Sequence, residues 1–206
     1  MRFIGNDHYG LCNDAFATTE LAMIRSAVLD SPLLGTNRLA ATFDGSRGYS
    51  LVFTREGIAR VRAEHPYLVD FIDRALRPTC NAFYLNPLLL QRGSAVGPHV
   101  DCSLARYLGE PRTPLLVSVL YVEVPHDLDG GELVLNEGEL ELGRIAPRAG
   151  TLLYFAGRLR HRVTAVDTTT TRMSLVCEQY KLSPDLLAAV PTFEAQPGLT
   201  YERSRS

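Results

Sequence analysis

The sequence predicts a mainly β protein with flanking helices, in which N-terminal helices pack on one sheet of a jelly-roll core. From about residue 80 onward, short apolar runs are separated by Gly, Pro and Asp and show no helical period. Short strands at such regular spacing are typical of antiparallel sandwiches and barrels. Before that point the apolar residues recur at helical spacing. The two patterns together indicate helices beside an antiparallel sandwich.

The 206 residues are expected to form one domain, because single domains of this size are common. We divide this domain into N-terminal helices and edge strands at 1–78, a jelly-roll core at 79–182 and a C-terminal tail at 183–206. The tail contains one short predicted helix, at 185–189.

Two amphipathic helices are predicted in the N-terminal part. Thr18 and Thr19 can cap the first helix, which ends before Pro32 because the residue preceding a proline leaves the α region. The second helix begins near Arg55 and is broken at Pro66. Their apolar faces are predicted to cover one sheet.

Nine strands are predicted from apolar runs bounded by turn residues. They lie at 38–43, 49–53, 81–91, 115–124, 131–135, 140–145, 151–155, 161–166 and 171–180. This number is sufficient for an eight-stranded jelly roll with one extra edge strand.

Charge and cysteine content exclude several classes of protein. With 21 basic and 23 acidic residues the formal net charge is −2, so the charge gives no reason to expect nucleic-acid binding. Four cysteines without a CxxC pair predict reduced thiols rather than a disulfide framework. No apolar run reaches the roughly 18 residues that a membrane span requires. We therefore expect a cytoplasmic protein without a signal peptide or a membrane partner.

His99, Asp101 and His161 are the candidate metal ligands. Two residues apart on an extended segment, the side chains of His99 and Asp101 point to the same side and can reach one ion. Such a triplet is common by chance, and a lone histidine such as His161 is more often a surface or core residue. Together, however, two histidines and one carboxylate form the facial triad of iron(II) sites that keep open coordination positions.

Arg172 and Ser174 lie on one face of the strand predicted at 171–180. An inward-facing arginine on an apolar strand is costly unless it meets an anion. Its guanidinium group matches a carboxylate with two parallel hydrogen bonds, and the serine adds a hydroxyl group. A salt bridge to an internal Asp or Glu is the alternative.

From 81 to 179 the sequence resembles the non-haem iron(II), 2-oxoglutarate-dependent oxygenases, in the branch that is similar to prolyl 4-hydroxylases. The resemblance depends on the order and spacing of several motifs. These are His99-Val100-Asp101, the turn Gly130-Gly131-Glu132-Leu133, Pro147 and Gly150 ahead of a strand, His161-Arg162-Val163, and Arg172. It implies a double-stranded β-helix of the cupin-like type.

The resemblance also implies a role for each matching residue. It makes His99, Asp101 and His161 the catalytic ligands of Fe(II). It assigns the distal carboxylate of 2-oxoglutarate to Arg172, with Ser174 beside it. The cofactor would be Fe(II), with 2-oxoglutarate and O2 as cosubstrates.

Three positions refine this comparison. Tyr84 is the candidate second partner of the 2-oxoglutarate carboxylate, although it precedes His99 by 15 residues (99 − 84 = 15), more than is usual in the family. Asp101 is retained where related halogenases have a small residue, which favours hydroxylation. Glu178 stands where related nucleic-acid demethylases carry a second arginine.

The predicted activity is hydroxylation of an unactivated C–H bond of a small molecule, such as a free amino acid or a biosynthetic intermediate, with succinate and CO2 as co-products. The segment 102–114 is predicted to lie over the iron, where Arg106 and Arg112 could bind an anionic substrate group; a solvated loop is the alternative. Two other functions stay open: hydroxylation of a peptidyl, prolyl-like side chain, and a non-redox metal-binding protein of the cupin type. The pair Arg172 and Ser174 argues against the latter.

Overall fold

A computed structural model of the chain describes residues 4–37 and 45–199. The strand predicted at 38–43 lies outside the described residues. The described residues contain five α-helices and one 3₁₀ helix. They are α1 (Thr18–Leu29), α2 (Ile58–Glu64), the 3₁₀ helix (Pro66–Leu68), α3 (Val69–Ala75), α4 (Ala105–Leu108) and α5 (Pro184–Leu187).

Sixteen strands are present in the same residues. In chain order they are β1 (Ile4–Gly5), β2 (Tyr9–Cys12), β3 (Gly35–Thr36), β4 (Arg47–Gly48), β5 (Ser50–Thr54), β6 (Ala82–Leu90), β7 (Val96–His99), β8 (Leu116–Glu123), β9 (Asp129–Gly130), β10 (Leu133–Glu137), β11 (Leu140–Ile145), β12 (Leu152–Ala156), β13 (Arg160–Val163), β14 (Val166–Asp167), β15 (Arg172–Tyr180) and β16 (Phe193–Gln196).

The strands form a large and a small antiparallel sheet. The ten-stranded sheet has the order β1-β2-β12-β8-β15-β6-β4-β3, with β5 paired to β6 and β16 paired to β5. The four-stranded sheet has the order β11-β10-β13-β7, and β9 pairs with β14 as a separate ribbon. The predicted jelly roll is confirmed, because two antiparallel sheets pack face to face around one apolar layer.

Two apolar layers lie on opposite faces of the large sheet. Between the sheets, buried residues of β6, β8 and β12 contact buried residues of β7, β10, β11 and β13. On the outer face, other residues of β6, β8, β12 and β15 contact α1, α2 and α3. Successive side chains of a strand point to opposite faces, so each central strand contributes to both layers. The helices therefore cover one sheet, as predicted.

Local sequence explains where the first helices begin and break. The first turn of α1 is closed by Glu20, whose carboxylate accepts a hydrogen bond from the backbone N–H of Ala17 at 2.6 Å. This differs from the prediction that Thr18 or Thr19 caps the helix, since Thr18 is already its first residue. The break predicted at Pro66 is present, and the chain passes through a 3₁₀ turn there.

Strand β6 contains a proline at its centre that its neighbours accommodate. Pro87 pairs with Leu175 of β15 on one side. On the other side the partner strand changes from β5, which ends its pairing at Leu85, to β4, which begins at Leu88. Proline has no N–H to donate to a ladder, so it is tolerated where one ladder is interrupted.

Several strands were not predicted from the sequence. They include β2 near the N-terminus, β7 before the candidate ligands, and β16 in the tail. Each is four residues long, which is too short for an apolar alternation to be distinct. In the described residues, no helix has the length and apolar character needed to cross a bilayer, and the cysteines are not in disulfides.

We predict that Leu175→Ala destabilises the protein by about 2–5 kcal/mol, because it leaves a cavity under the helices. Leu175 is fully buried on the helix-facing side of β15. Leu140→Ala is the matched control, because this leucine is 65% exposed and its truncation should change stability little. Urea unfolding measures both values. Equal effects of the two substitutions would contradict the packing described for β15.

Candidate active site

His99 and His161 lie side by side on neighbouring strands of the small sheet. They are direct partners in the antiparallel pairing of β7 and β13, and their ring centroids lie 4.3 Å apart. Asp101 follows the last residue of β7 by two positions and is buried. The structure thus brings together the three residues that the sequence predicted as metal ligands.

Hydrogen bonds to the backbone orient both imidazole rings. The Nδ1 atom of His99 lies 2.8 Å from the carbonyl oxygen of Gly97, and that of His161 lies 3.1 Å from the carbonyl oxygen of Leu159. A carbonyl only accepts, so each Nδ1 must carry the proton and donate it. Each Nε2 then presents a lone pair, which is the arrangement seen for metal-binding histidines.

The two Nε2 atoms and the Asp101 carboxylate converge on one point. Asp101 Oδ1 lies 3.3 Å from His99 Nε2, and Oδ2 lies 3.4 Å from His161 Nε2. One ligand atom from each residue falls within 4.8 Å of the others, so the trio could hold a metal ion. Among the described residues, no hydrogen-bond donor reaches Asp101 Oδ2. Lone pairs that face one another in a buried site need a cation between them.

The protonation states of Asp101 and His161 suit metal binding; burial lowers the pKa of the His99 imidazole, but its contact with Asp101 outweighs burial and raises that pKa. Burial opposes ionisation of Asp101, but His161 and His99 hold the pKa of this carboxyl below its usual value. Burial lowers the pKa of the His161 imidazole and so favours its neutral form. A carboxylate and a neutral imidazole are the forms that bind divalent metals.

Arg172 is a buried cation without an anionic partner. It is 2% exposed, and its Nε and Nη1 atoms have no hydrogen-bond partner in the described part of the chain. Its guanidinium carbon lies 5.1 Å from the ring centroid of Tyr121. The alternative of a salt bridge to an internal acid does not occur among the described residues. An unpaired buried guanidinium group favours binding of an anion, such as a carboxylate.

A turn of two glycines lies beside Arg172. Gly130 and Gly131 both have left-handed backbone angles, with φ of 73° and 70°, which glycine adopts without a steric penalty. A Cβ atom on Gly131 would lie 3.3 Å from Cδ of Arg172, and one on Gly130 would lie 2.0 Å from the carbonyl oxygen of Ala165. The Gly-Gly turn noted in the sequence therefore lets the chain pass closely beside the arginine.

Tyr121 is a site residue that the sequence analysis missed. It is fully buried and lies opposite Ser174 in the pairing of β8 with β15. Its hydroxyl group has no hydrogen-bond partner in the described residues. In the sequence, this tyrosine lies within the largely apolar run 116–122. A tyrosine in such a run is equally consistent with an ordinary core residue.

Tyr84 does not occupy the place that the sequence analysis gave it. It lines the cavity between the sheets that Arg172 also lines. In the pairing of β6 with β15, however, Tyr84 lies opposite Glu178, whereas Arg172 lies opposite Leu90. Six residues of strand separate Arg172 from Glu178, or roughly 20 Å. Side chains so far apart cannot share one carboxylate, and the hydroxyl group of Tyr84 is hydrogen bonded to Ser50. Tyr121 is the tyrosine beside Arg172.

Arg106 and Arg112 do not line the cavity. Arg106 stacks on Tyr107 and lies 3.5 Å from the carboxylate of Glu194, and Arg112 lies 2.7 Å from that of Glu110. The segment 102–114 is anchored to the protein at Leu104, which is fully buried. Both arginines are bound to surface carboxylates of the chain itself.

One cavity between the sheets connects all of these groups. Including its open mouth it measures about 600 Å³, within the range typical of small-molecule sites. The metal-ligand trio, Arg172, Ser174 and Tyr121 line it together with Glu178, Tyr84 and Asn86. Its remaining lining is apolar: Leu88, Val96, Val119, Leu133, Phe155, Val163 and Val176. The cavity thus joins a cation site to an anion site.

Comparison with known proteins agrees with this geometry. Residues 83–177 match the family model described as the 2OG-Fe(II) oxygenase superfamily. A comparison with curated protein sequences finds no match.

Three solved structures illustrate the structural likeness. A Pseudomonas putida prolyl-4-hydroxylase is 18% identical with a TM-score of 0.56, over 86% of this chain and 95% of that one. A Trichoplax adhaerens prolyl hydroxylase, in complex with a hypoxia inducible factor peptide fragment, is 15% identical with a TM-score of 0.58, over 89% and 87%. HygX from Streptomyces hygroscopicus, with nickel, 2-oxoglutarate and hygromycin B bound, is 15% identical with a TM-score of 0.51, over 82% and 81%. These likenesses establish the fold.

We predict that His161→Ala lowers the affinity for Fe(II), measured by anaerobic titration calorimetry, by more than 100-fold. Changes to residues that merely orient a ligand typically cost roughly 10- to 100-fold, and loss of a ligand should cost more. His126→Ala is the control, because His126 is exposed on a loop. Unchanged Fe(II) affinity in the His161 variant would exclude this residue as a ligand.

Proposed function

We propose that this chain is a 2OG-Fe(II) oxygenase, which the match over residues 83–177 supports, and that it hydroxylates an unactivated C–H bond of a small molecule. Free amino acids and biosynthetic intermediates are the proposed substrate class. The reaction consumes 2-oxoglutarate and O2 and releases succinate and CO2. The observation that carries the proposal is one buried cavity in which a metal-ligand trio and an unpaired arginine are combined.

In this proposal His99, Asp101 and His161 hold Fe(II). When bound, the iron and its cosubstrate supply the oxygen activation that no amino-acid side chain can perform. The protein contributes two imidazole groups fixed by their Nδ1–H hydrogen bonds and one carboxylate whose charge partly offsets that of the ion. Three protein ligands leave positions open for cosubstrate and O2.

Arg172, Ser174 and Tyr121 bind the distal carboxylate of 2-oxoglutarate in this proposal. The guanidinium group of Arg172 offers two N–H donors that have no partner in the described residues. The Tyr121 hydroxyl group has none either, and Ser174 lies directly across from it. A carboxylate here would satisfy all of these groups, and burial strengthens such charge-assisted hydrogen bonds.

The apolar lining supports a small, specifically oriented substrate. Phe155, Leu133 and Val163 line the same cavity as the ligand trio, and the ring centroid of Phe155 lies 4.8 Å from that of His161. Asp101 and His161 are only 8% and 6% exposed, so a reacting carbon must enter the cavity. The HygX structure contains the small molecule hygromycin B, whereas the Trichoplax structure contains a peptide. The experiment below must therefore distinguish hydroxylation of a small molecule from hydroxylation of a peptide.

The proposal is tested by incubating the Fe(II)-loaded protein with 2-oxoglutarate, O2 and two substrate panels. One panel contains free amino acids and small metabolites, and the other contains proline-containing peptides. We expect succinate formation coupled to a small-molecule product that is one oxygen atom heavier, measured by mass spectrometry. Hydroxylation confined to the peptides would favour the alternative. Absence of succinate under every condition would contradict oxygenase activity.

We predict that Arg172→Gln raises the 2-oxoglutarate concentration needed for half-maximal turnover by about thirty-fold or more. Removing one partner of a buried charged pair costs roughly 2–5 kcal/mol, and 1.4 kcal/mol is about a factor of ten. Arg92→Gln is the matched control, since Arg92 forms an exposed ion pair with Asp167. Steady-state succinate formation measures both variants. An unchanged requirement in the Arg172 variant would remove Arg172 from the cosubstrate site.

A further inference from the structure

Glu178 is a buried carboxylic acid to which the proposed function gives no role. It lies on the cavity-facing side of β15, six residues from Arg172, and is 3% exposed. No lysine, arginine or histidine forms a salt bridge with it in the described part of the chain. A buried acid without a cationic partner is costly. Its presence on the wall of the cavity therefore requires an explanation.

Both carboxylate oxygens of Glu178 accept hydrogen bonds from the protein. The backbone N–H of Ser103 donates to Oε2 at 3.0 Å, and the Ser103 hydroxyl group donates to Oε1. The hydroxyl group of Tyr180 also donates to Oε2. Because these donors occupy both oxygens, Glu178 holds the chain at Ser103 rather than offering a free acid to a ligand.

Ser103 follows Asp101 by two residues, so an anchored Ser103 restricts the positions that Asp101 can take. On the far side, Leu104 is fully buried in the cluster that includes Tyr180 and Leu182. No hydrogen-bond donor in the described residues reaches Oδ2 of Asp101. Strand β7 ends at His99, and residues 100–102 belong to no regular element before the turn that begins at Ser103. The hydrogen bonds between Ser103 and Glu178 thus tie the segment next to Asp101 to β15.

We infer that Glu178 is a positioning residue that fixes Asp101 for metal binding by holding Ser103 against β15. The inference rests on the proposed function, in which Asp101 is a metal ligand. The same strand then carries both the cosubstrate residue Arg172 and the residue that positions a metal ligand.

The test uses the full chain and Co(II) alone as an air-stable probe with a visible absorption spectrum. Glu178→Ala removes the three hydrogen bonds, whereas Glu178→Gln keeps an acceptor of similar shape. Asp127→Ala is the matched control, because Asp127 likewise accepts one backbone and two hydroxyl hydrogen bonds, from Thr168 and Thr169, but outside the cavity. Thermal melting of the metal-free proteins verifies that each variant is folded.

We predict that Glu178→Ala weakens Co(II) binding by about 10- to 100-fold, the usual effect of losing a group that orients a ligand. Its Co(II) spectrum should also change, Glu178→Gln should restore most of the affinity, and Asp127→Ala should bind as the wild type does. With the metal saturating, 2-oxoglutarate affinity should change less than about threefold, because Arg172 is not displaced.

An unchanged Co(II) affinity and spectrum in Glu178→Ala would overturn the inference. It would also be overturned if metal and 2-oxoglutarate affinity fell equally, which would indicate a general packing role. If Glu178→Ala does not fold, Ser103→Ala is measured in its place. A roughly threefold or larger loss of Co(II) affinity in Ser103→Ala would support the inference, and an unchanged Co(II) affinity would overturn it. Failure of the proposed function would look different, because His161→Ala would then bind Co(II) as tightly as the wild type.

Discussion

Uncompensated buried charge is the constraint on which the site depends. Three lone-pair-bearing atoms of His99, Asp101 and His161 converge where no described donor reaches Asp101 Oδ2. In the same cavity, the guanidinium group of Arg172 is buried without an anion among the described residues. Neither group is stable alone in a medium of low polarity. A divalent cation at the first and a carboxylate at the second would satisfy both, and 2-oxoglutarate chelated to iron provides this combination.

The two sheets hold these charges apart at a fixed separation. The small sheet supplies His99 and His161 from directly opposed positions of β7 and β13. The large sheet supplies Arg172, Ser174 and Glu178 from alternate positions of β15, while Met173, Leu175 and Cys177 face the helices. One face of β15 is packed on the helices. A shift of register by one residue would therefore turn the polar residues of β15 toward the helices and its apolar residues toward the cavity. Helix packing on the outer face therefore also fixes the polar residues on the inner face.

Much of this arrangement could be predicted from the sequence, because its signals are local. The alternation of β15, the His-x-Asp triplet and the Gly-Gly turn each depend on neighbouring residues. The position of Tyr121 depends on which strand lies beside β15, and its apolar surroundings in the sequence conceal it. Ser103, which donates two hydrogen bonds to Glu178, is 75 residues away from it in the sequence. Tyr84 was assigned to the cosubstrate from order alone, whereas the pairing of β6 with β15 places it at the other end of the cavity. Strand β16 returns from the tail to pair with β5, a contact that short-range periodicity does not encode.

The most direct test is a diffraction experiment on crystals grown anaerobically with Fe(II) and 2-oxoglutarate, with data collected at the iron absorption edge. The anomalous map should contain one peak within bonding distance of His99 Nε2, His161 Nε2 and an Asp101 carboxylate oxygen. Density for 2-oxoglutarate should run from that peak to the guanidinium group of Arg172. Iron bound elsewhere, or a 2-oxoglutarate carboxylate that does not contact Arg172, would contradict the proposed site.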